Sequence, residues 1–251
     1  MPNKKPDYGL DAPRVVRGLL IAGFAAVISV FFLLRYGNSS RVVWVLTLEQ
    51  IAANIGVGCL IGAALMLASS YSGKFHVRDG LIHNLRLRGN ETILDVGCGH
   101  GLLLIAAAKL LPHGRAVGID LWSQVDQSNN SREAALENAA LEGVAERVEV
   151  RDGDMRELPF ADSTFDAAVA HFAIHNVPGR EGRHRTIREI VRVLKPGGQV
   201  ALSDMKSVGL YSNELRKLGM QGVRISWPIF WTWPPTRIVT ARKSAAANSL
   251  G

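Results

Sequence analysis

The chain has 251 residues, enough for one ordinary domain and an additional segment. Its formal net charge of +7 suits a nucleic-acid ligand, an anionic lipid surface or no charged partner at all. Cys59 and Cys98 are the only cysteines, too few for a disulfide framework or a zinc cluster. Composition therefore excludes cysteine-based scaffolds and leaves the function to be read from motifs.

The N-terminal region contains two apolar runs. Residues 1–17 are polar and basic, residues 18–34 carry no charge, and residues 51–72 form a second uncharged run. A bilayer span needs about 20 apolar residues, within a range of roughly 17 to 25. The sequence therefore predicts a hairpin of two transmembrane helices within residues 18–72, joined by the polar link 35–41.

The distribution of basic residues predicts the orientation of this hairpin. Lysines and arginines cluster before the first run and after the second, whereas the link holds only Arg35 and Arg41. Cytoplasmic flanks carry the excess of basic residues, so both termini and the C-terminal domain are expected in the cytoplasm. A cleaved signal peptide is the alternative for the first run, although no clear small-residue cleavage site follows it.

Small residues recur at four-residue spacing in both runs. Such stripes let membrane helices approach closely. We expect the two spans to pack on each other, and a dimer through the transmembrane helices is the second possibility. The residues concerned are Gly18, Ala22 and Ala26 in the first run and Gly58 and Gly62 in the second.

The most informative stretch is residues 93–101, Ile-Leu-Asp-Val-Gly-Cys-Gly-His-Gly. The apolar residues around Asp95 are typical of a buried strand, and the glycines at every second position predict a tight turn. An uninterrupted helix pattern begins at Leu102. A glycine turn that leads into a helix N-terminus is a common place to bind a nucleotide-like ligand, although an ordinary turn is the simpler reading.

The dinucleotide-binding fingerprint fits this stretch poorly, because its third glycine belongs where Leu102 stands. The carboxylate of Asp95 also suits a positively charged ligand better than a pyrophosphate. The stretch resembles motif I of the class I S-adenosylmethionine-dependent methyltransferases, whose cofactor has a sulfonium, an ammonium and no phosphate. The resemblance implies cofactor contacts from Asp95, Gly97, Cys98, Gly99 and Gly101.

The resemblance covers residues 73–243 and implies a fold class. It is an α/β, Rossmann-like methyltransferase sheet of seven strands, mostly parallel with strand 7 antiparallel, here preceded by the two transmembrane helices. An amphipathic helix at residues 73–88 is expected to lead from the membrane to the first strand. Residues 194–198, Leu-Lys-Pro-Gly-Gly, are a further mark of the family, and residues 244–251 form a polar tail.

Two further acids end predicted strands at the same sheet edge. Asp120 lies about 20 residues beyond the glycine turn, where a carboxylate accepts both ribose hydroxyls. Leu121 and Trp122 follow it, and Trp122 is a candidate to stack near the adenine. In the family, the acid at the position of Asp154 takes the adenine amino group, and the backbone amide at Met155 meets a ring nitrogen.

The loop at residues 121–130 is longer than the family pattern, and it is expected to be either a lid over the site or plain surface. Residues 227–235 contain three tryptophans and three prolines, which rule out an ordinary strand or helix. This apolar segment is expected to be a pocket wall, a patch that enters the membrane interface, or part of the core.

Two histidines follow the fourth predicted strand. His171 is expected to line the cofactor pocket. His175 is the candidate catalytic residue, a general base, because histidine titrates near neutral pH; the alternative is that it only caps or packs. The pair lacks a third ligand of suitable spacing, so no metal site is predicted.

The intervening Phe172, Ala173 and Ile174 differ from the Pro-Pro-aromatic triplet of methyltransferases that modify nucleic-acid bases, so no nucleic-acid partner is expected. The chain looks closest to the small-molecule enzymes that act on ubiquinone, menaquinone and tocopherol precursors. The resemblance implies S-adenosyl-L-methionine as cofactor and a small, lipophilic acceptor at the cytoplasmic membrane face. The alternatives are an anchored methyltransferase of a soluble metabolite and a non-catalytic cofactor-binding membrane module.

Overall fold

The structure is a computed structural model that describes residues 4–36, 43–124 and 127–245. Its described part contains one seven-stranded sheet. The strands are β1 (Thr92–Val96), β2 (Arg115–Asp120), β3 (Val148–Asp152), β4 (Phe165–His171), β5 (Leu194–Asp204), β6 (Gln221–Ile225) and β7 (Arg237–Arg242). Their order in the sheet is β3-β2-β1-β4-β5-β7-β6. Strands β1 to β5 are parallel, and β7 runs antiparallel to both of its neighbours, as expected.

Helices cover both faces of this sheet. Val77 and Leu104 pack on one face and Ile187 and Tyr211 on the other, each at most 1% exposed. Burial on both faces explains why the central strands are nearly continuous apolar runs. The helices are α1 (Pro13–Tyr36), α2 (Val43–Ala68), α3 (Lys74–Asn84), α4 (Leu102–Lys109), α5 (Arg132–Leu141), α6 (Arg180–Val193) and α7 (Val208–Lys217).

Helix boundaries follow local chemistry. The side chain of Ser131 caps α5 by accepting a hydrogen bond from the Ala134 amide at 3.1 Å. Helix α3 ends before the predicted boundary at residue 88, because Arg86 takes a φ of +48° that an α-helix does not allow.

Helices α1 and α2 form the expected hairpin. By length and composition, the stretches Pro13–Phe32 and Gln50–Asn84 are long and apolar enough to cross a membrane, and little of their surface is buried in the protein. Most of the large side chains described on the outer surfaces of α1 and α2 are exposed and apolar. The link at residues 37–42 and the side chain of Trp44, an expected interfacial residue, lie outside the described residues.

The two hairpin helices pack through one of the predicted small residues and through others that were not predicted. A Cβ built on Gly56 would lie 2.8 Å from the Cβ of Ala26, which belongs to the predicted stripe. A Cβ built on Gly23 would lie 2.6 Å from Leu60 Cγ and 3.2 Å from the Gly56 carbonyl oxygen. Gly18 and Gly58, by contrast, face open space. The helix phase, which the four-residue spacing alone does not determine, therefore selects Gly23 and Gly56 for the close approach.

Both ends of the hairpin are attached to the sheet domain. Helix α2 continues through a π-helical turn, Ser69–Gly73, directly into α3. The Asp11 amide, just before α1, donates to Ser70 Oγ at 3.1 Å, and Ser70 Oγ donates to Asp11 Oδ2 at 3.0 Å. The first residues of α1 and the last turn of α2 are thereby held together against the domain.

Candidate functional site

The glycine turn joins β1 to α4 at the C-terminal edge of the sheet. Gly97, Gly99 and Gly101 all have positive φ, at 76°, 50° and 84°. A side chain at Gly97 would collide with its surroundings, because its Cβ would lie 2.3 Å from the Ala173 Cβ. The motif therefore needs glycine both for backbone conformation and for close approach.

Asp95 lies beneath this turn and is 2% exposed. Its Oδ2 accepts a hydrogen bond from the Leu104 amide at 2.9 Å, in the first turn of α4. Burial raises the pKa of the Asp95 carboxyl to about 8, and the nearby Asp120 charge adds to the rise. The carboxyl is therefore ready to ionise beside a cationic ligand.

Asp120 ends β2 directly opposite the turn. Its carboxylate accepts hydrogen bonds from the Gly99 amide at 2.9 Å, the Trp122 amide at 2.7 Å and the Asn130 side chain at 3.3 Å. These donors fix the orientation of a charged group at the wall of the site.

Asp154 follows β3 and faces the same cavity from the other side. Its carboxylate is paired with Arg156, whose Nε lies 2.9 Å from Oδ2. The Arg156 guanidinium holds the pKa of the Asp154 carboxyl below its usual range. Met155 lies between them in sequence and brings its side chain to the glycine turn, where its Cε would lie 3.3 Å from a Cβ on Gly97.

One cavity, with a volume of about 270 Å³, collects most of the predicted cofactor residues. We call it the cofactor cavity. Among the predicted residues, it is lined by Asp95, Gly97, Cys98, Gly99, Asp120, Leu121, Asp154, Met155 and His171.

Two predicted cofactor residues do not line this cavity. Gly101 is the N-cap of α4, and a Cβ there would lie 3.1 Å from Ile105. The indole NH of Trp122 donates to Asp152 Oδ1 at 2.7 Å, which holds the ring toward the end of β3. Gly101 therefore shapes the turn, and the stacking of Trp122 on an adenine remains a prediction.

The N-terminal segment at residues 7–11, which we call the strap, lies beside the cofactor cavity. Lys74 is 2% exposed, and its ammonium donates to the Tyr8 and Gly9 carbonyl oxygens at 2.8 and 2.7 Å. Asp11 of the strap lines the cavity. Nothing in the polar composition of residues 1–17 indicates this role, because it depends on a lysine 65 residues away from Gly9.

The strap is bound to the loop at residues 121–130. Gln127 Nε2 donates to the Tyr8 carbonyl at 2.9 Å, and the Ser128 amide donates to the Leu10 carbonyl at 3.1 Å. His100 of the glycine turn lies between them, with its ring nitrogens 2.7 Å from the Asp7 carbonyl and 2.9 Å from the Ser128 carbonyl. The described part of this loop thus contacts the site, as a lid does; residues 125–126 lie outside the described part.

His171 ends β4 at the inner wall of the cofactor cavity. Neither of its ring nitrogens, both buried, has a hydrogen-bond partner among the described residues. Burial, with the nearby Lys74 charge, lowers the pKa of His171 to about 3. The ring is therefore neutral near pH 7 and retains one acceptor and one donor for a ligand.

His175 lies in a short 3₁₀ turn after β4 and faces Asp204 at the end of β5. Its Nδ1 is 2.8 Å from Asp204 Oδ1, although this contact is not aligned as a hydrogen bond. Asp204 is 1% exposed and accepts hydrogen bonds from the His175 amide at 3.2 Å and the Tyr211 hydroxyl at 2.9 Å. A buried carboxylate beside one ring nitrogen leaves the other, Nε2, as the atom available to accept a proton.

His175 does not line the cofactor cavity but a smaller one of about 70 Å³ beside it. We call this the outer cavity. The two cavities share Asp11, Phe172 and Asn176 as walls. The candidate base and most of the predicted cofactor residues thus line two neighbouring cavities that have Phe172 in common.

Residues 94–202, from β1 into β5, match the model of the methyltransferase domain family. This part of the chain is a class I S-adenosylmethionine-dependent methyltransferase domain. It includes the glycine turn, the three predicted strand-end acids, His171 and His175, so the match covers the predicted site residues as well as the fold.

Curated relatives share this domain. A demethylmenaquinone methyltransferase of Symbiobacterium thermophilum is 36% identical over 45% of this chain and 41% of its own length. One from Listeria monocytogenes is 34% identical over 54% of each chain, and a sterol 4-C-methyltransferase of Caenorhabditis elegans is 29% identical over 53% of this chain and 37% of its own. The chain spans about half the length of the curated relatives it matches.

Solved structures confirm the fold of the methyltransferase domain. A putative sarcosine dimethylglycine methyltransferase from Galdieria sulphuraria aligns with a TM-score of 0.56 over 68% of this chain and 86% of its own, at 15% identity. The [4+2]-cyclase SpnF aligns with a TM-score of 0.55 over 68% of this chain and 81% of its own, at 23% identity. Because a cyclase shares the architecture, the fold alone does not determine the chemistry.

The residues of the methyltransferase domain fit S-adenosylmethionine, the cofactor of this class. The cofactor cavity brings the carboxyl groups of Asp95, Asp120 and Asp154 around a glycine turn, with Asp11 of the strap as a fourth, which suits a cationic nucleoside without phosphates. It also contains polar atoms that need a partner: Asn130 Oδ1 is buried without one among the described residues, as are the His171 nitrogens. Such atoms are expected where a polar ligand completes the site.

Several residues of the site were not predicted. Most of them lie in segments whose sequence carries no motif, and only their convergence on one cavity marks them. Two had a local signal, because Arg156 directly follows the predicted Asp154 and Met155, and Asp204 ends a predicted strand at the ligand edge of the sheet. The end of the polar loop just before the cap Ser131 was a weak signal for Asn130. These residues are Asp11, Lys74, Gln127, Asn130, Arg156 and Asn176, to which Asp204 is added as the partner of His175.

Proposed function

We propose that this protein transfers a methyl group from S-adenosylmethionine to a small, lipophilic acceptor, such as a quinone precursor or another lipid, at the cytoplasmic face of a membrane. The pair of His175 and Asp204 beside the cofactor cavity carries the proposal. A cofactor-binding module has no need of a histidine whose ring nitrogen lies 2.8 Å from a buried carboxylate at the ligand edge.

S-adenosylmethionine supplies, when bound, a methyl carbon on a cationic sulfur. Asp95 and Asp120 provide negative charge around it, and neutral His171 adds no competing positive charge. Desolvation and alignment of the acceptor then account for much of the rate, because a positioned pair of reactants reacts as if in one molecule.

The acceptor must lose a proton as its nucleophilic atom takes the methyl group. In this proposal His175 Nε2 accepts that proton, and Asp204 stabilises the imidazolium that forms. General-base catalysis of this kind contributes about 10²- to 10⁴-fold.

Three observations support a lipophilic acceptor at the cytoplasmic face; the first two concern the acceptor and the third concerns the face. The domain is continuous with two helices long and apolar enough to cross a membrane. Curated relatives are named for demethylmenaquinone and for a sterol, both lipophilic. The flanks of the hairpin carry the excess of lysine and arginine that marks the cytoplasmic side.

The test is transfer of label from S-adenosyl-L-[methyl-¹⁴C]methionine in membranes that contain the full chain. We expect the label in the organic-extractable lipid fraction. His175→Gln should reduce transfer about 10²-fold or more while the dissociation constant of S-adenosylhomocysteine stays unchanged.

The alternatives have distinct outcomes in the same assay. Label confined to the aqueous metabolites would identify an anchored enzyme of a soluble acceptor. Cofactor binding without a labelled product in any fraction would contradict the enzyme and leave a binding module. Equal transfer by the wild type and His175→Gln would remove the base from the mechanism.

A further inference from the structure

The outer cavity lies where the hairpin, the strap and residues 227–235 meet; we call residues 227–235 the aromatic segment. Met66 and Ser70 of the hairpin base form one wall of the cavity, and Trp233 of the aromatic segment forms another. His175 and Phe172 close its inner side. The candidate base thus faces a space bounded by the base of a membrane-type helix.

The aromatic segment is seated directly on the end of that helix. A Cβ on Gly73 would lie only 1.7 Å from the Trp231 carbonyl oxygen, so the two backbones are in contact. The Trp231 ring packs edge-on against His76, with the ring centroids 4.4 Å apart. Glycine at position 73 is therefore required for this docking.

The outer surface of the same junction is aromatic and exposed. Trp227 is 89% exposed, Phe230 74% and Tyr71 71%. We call these three residues the aromatic belt. Tyr71 lies in the turn between α2 and α3, and Phe230 directly precedes Trp231, which is docked on that turn. Most of the large apolar side chains described on the hairpin helices are exposed as well. Aromatic rings at the base of an apolar helix are typical of the membrane–water interface, so the occupant of this surface is lipid.

We infer that the outer cavity is a lateral portal, through which a membrane-dissolved acceptor reaches His175 from the lipid without passing through bulk water. This inference rests on the proposed function. It narrows the acceptor to a molecule with an acidic hydroxyl or equivalent on a flat ring, whose apolar tail stays in the membrane along the aromatic belt.

The size of the cavity limits what can enter it. A cavity of about 70 Å³ is smaller than the roughly 150 Å³ that hold a benzene in an engineered protein core. The proposal therefore requires the wall to move when the ring of the acceptor enters, and it leaves the apolar tail outside the cavity. Phe172 separates the two cavities and has a φ of +53°, an uncommon backbone conformation for a bulky residue.

The acceptor atom forms a bond to the methyl carbon, the carbon–sulfur bond breaks with its electron pair on sulfur, and the acceptor proton moves to His175 Nε2. The products are the methylated acceptor, S-adenosylhomocysteine and a protonated His175 beside Asp204.

The first experiment places the aromatic belt without any assay of activity. The full chain is reconstituted in phosphatidylcholine vesicles whose lipids are brominated near the headgroup end of the acyl chain. Tryptophan fluorescence should be quenched, and Trp227→Phe should remove a clear part of that quenching. Trp122→Phe is the control and should not, because Trp122 lies at the sheet edge. Equal quenching in the wild type and Trp227→Phe would overturn the portal.

The second experiment compares two acceptors of the same ring. One is a hydroquinone with a long isoprenoid chain, dissolved in the vesicles, and the other is the ring without the chain, in the buffer. Replacing Trp227 and Phe230 by serine should raise the apparent KM for the tailed acceptor about tenfold and leave the tail-less one unchanged. Leu136→Ser, an exposed apolar residue on α5, should change neither.

A variant that fills the cavity completes the test. Met205 lines the outer cavity, and Met205→Trp should lower kcat/KM for both acceptors on the order of 100-fold. The dissociation constant of S-adenosylhomocysteine should stay unchanged, which shows that the variant is folded. Full activity of Met205→Trp would overturn the portal. If neither hydroquinone is methylated even by the wild type, the acceptor class in the proposed function fails, while the quenching result still decides whether the belt faces lipid.

Discussion

Individual residues around the glycine turn divide into those that hold charge toward the cofactor cavity and those that hold the turn in shape. Asp120 belongs to the first group, although three donors already bind its carboxylate. Gly101 belongs to the second. The distinction matters for mutagenesis. We expect substitutions of either type to weaken cofactor binding, but only a substitution at a charged residue leaves the backbone of the turn unchanged.

Asp120→Asn should weaken cofactor binding about 10- to 100-fold, since a hydrogen bond to a charged group contributes roughly 1.5–3 kcal/mol. Calorimetric titration with S-adenosylhomocysteine measures the change. Asp152→Asn is the matched control, because Asp152 binds the Trp122 indole and does not line the cavity. An equal loss in both variants would mean that general charge around β2 and β3, and not Asp120, determines affinity.

Asp95 predicts a pH dependence of binding. Its folded-state pKa of about 8 lies above the ordinary value of 3.8, so the carboxyl is mostly protonated at pH 7 in the ligand-free protein. A cationic ligand favours the ionised form and releases a proton, so affinity should rise with pH up to about 8 and then level off.

The expected slope is at most about tenfold per pH unit below the pKa. The slope is measured by titrating the wild type and Asp95→Asn with the same cationic ligand between pH 6.5 and 9. The ratio of the two dissociation constants at each pH removes the effect of protonation of the ligand itself. A ratio that does not change with pH would show that Asp95 keeps one protonation state throughout.

His171 predicts a pH dependence of stability. Its folded-state pKa of about 3 lies below the ordinary value of 6.5, so between these values the unfolded chain binds more protons. Stability should therefore fall as the pH decreases below about 6.5, and by pH 5 the loss from this group is about 2 kcal/mol.

Urea unfolding of the detergent-solubilised chain at pH 5 and pH 7.5 measures this difference. His171→Asn should reduce it, whereas His113→Asn, at an exposed position after α4, should not. An unchanged difference in His171→Asn would assign the acid sensitivity to other groups.

Among the structural elements, the strap is the least expected. A segment that precedes the first hairpin helix returns to the methyltransferase domain and is held by one buried lysine. Its contacts with Gln127 and Ser128 make the strap and the loop at residues 121–130 one cover over the glycine turn.

Lys74→Met should release this cover. The Gly9 carbonyl would lose its lysine donor, at a cost of about 1–3 kcal/mol for a buried group left unpaired, and the Tyr8 carbonyl would keep only the donor from Gln127. Amide hydrogen exchange at residues 8–11 should accelerate and S-adenosylhomocysteine should dissociate faster. Lys109→Met removes an exposed ion pair with Glu142 and serves as the control. Unchanged exchange in Lys74→Met would show that the loop alone holds the strap.

At the scale of the whole molecule, the hairpin is fixed at both ends. Because the Asp11–Ser70 contact joins the two ends on the domain, the strap and the domain must lie on one side of any membrane that the hairpin crosses.

This arrangement predicts the labelling pattern of single cysteines. In a variant without native cysteines, Ser39→Cys in the link should react with an impermeant maleimide added to intact cells. Lys5→Cys should react only after lysis. Labelling of both positions in intact cells would contradict a hairpin with cytoplasmic termini.

The sequence alone determined the class of the domain, and most of the cofactor residues that it predicts line one cavity. This was possible because the glycine turn and the strand-end acids are local: each needs a particular residue at a particular place on one strand or turn. The apolar residues around Asp95 determine β1, and the glycines at every second position up to residue 101 determine the turn after it. The order of the strands then brings Asp95, Asp120 and Asp154 to one edge.

Only the tertiary structure decided which residues complete the site. Lys74, Asn130 and Asp204 carry no motif, and each acts on a partner that is distant in sequence or hidden in the fold. The same holds for the hairpin, where the phase of two packed helices, and not glycine spacing, selects Gly23 and Gly56. Contacts of this kind depend on burial and on the relative placement of whole elements, and neither is encoded in a short stretch of sequence.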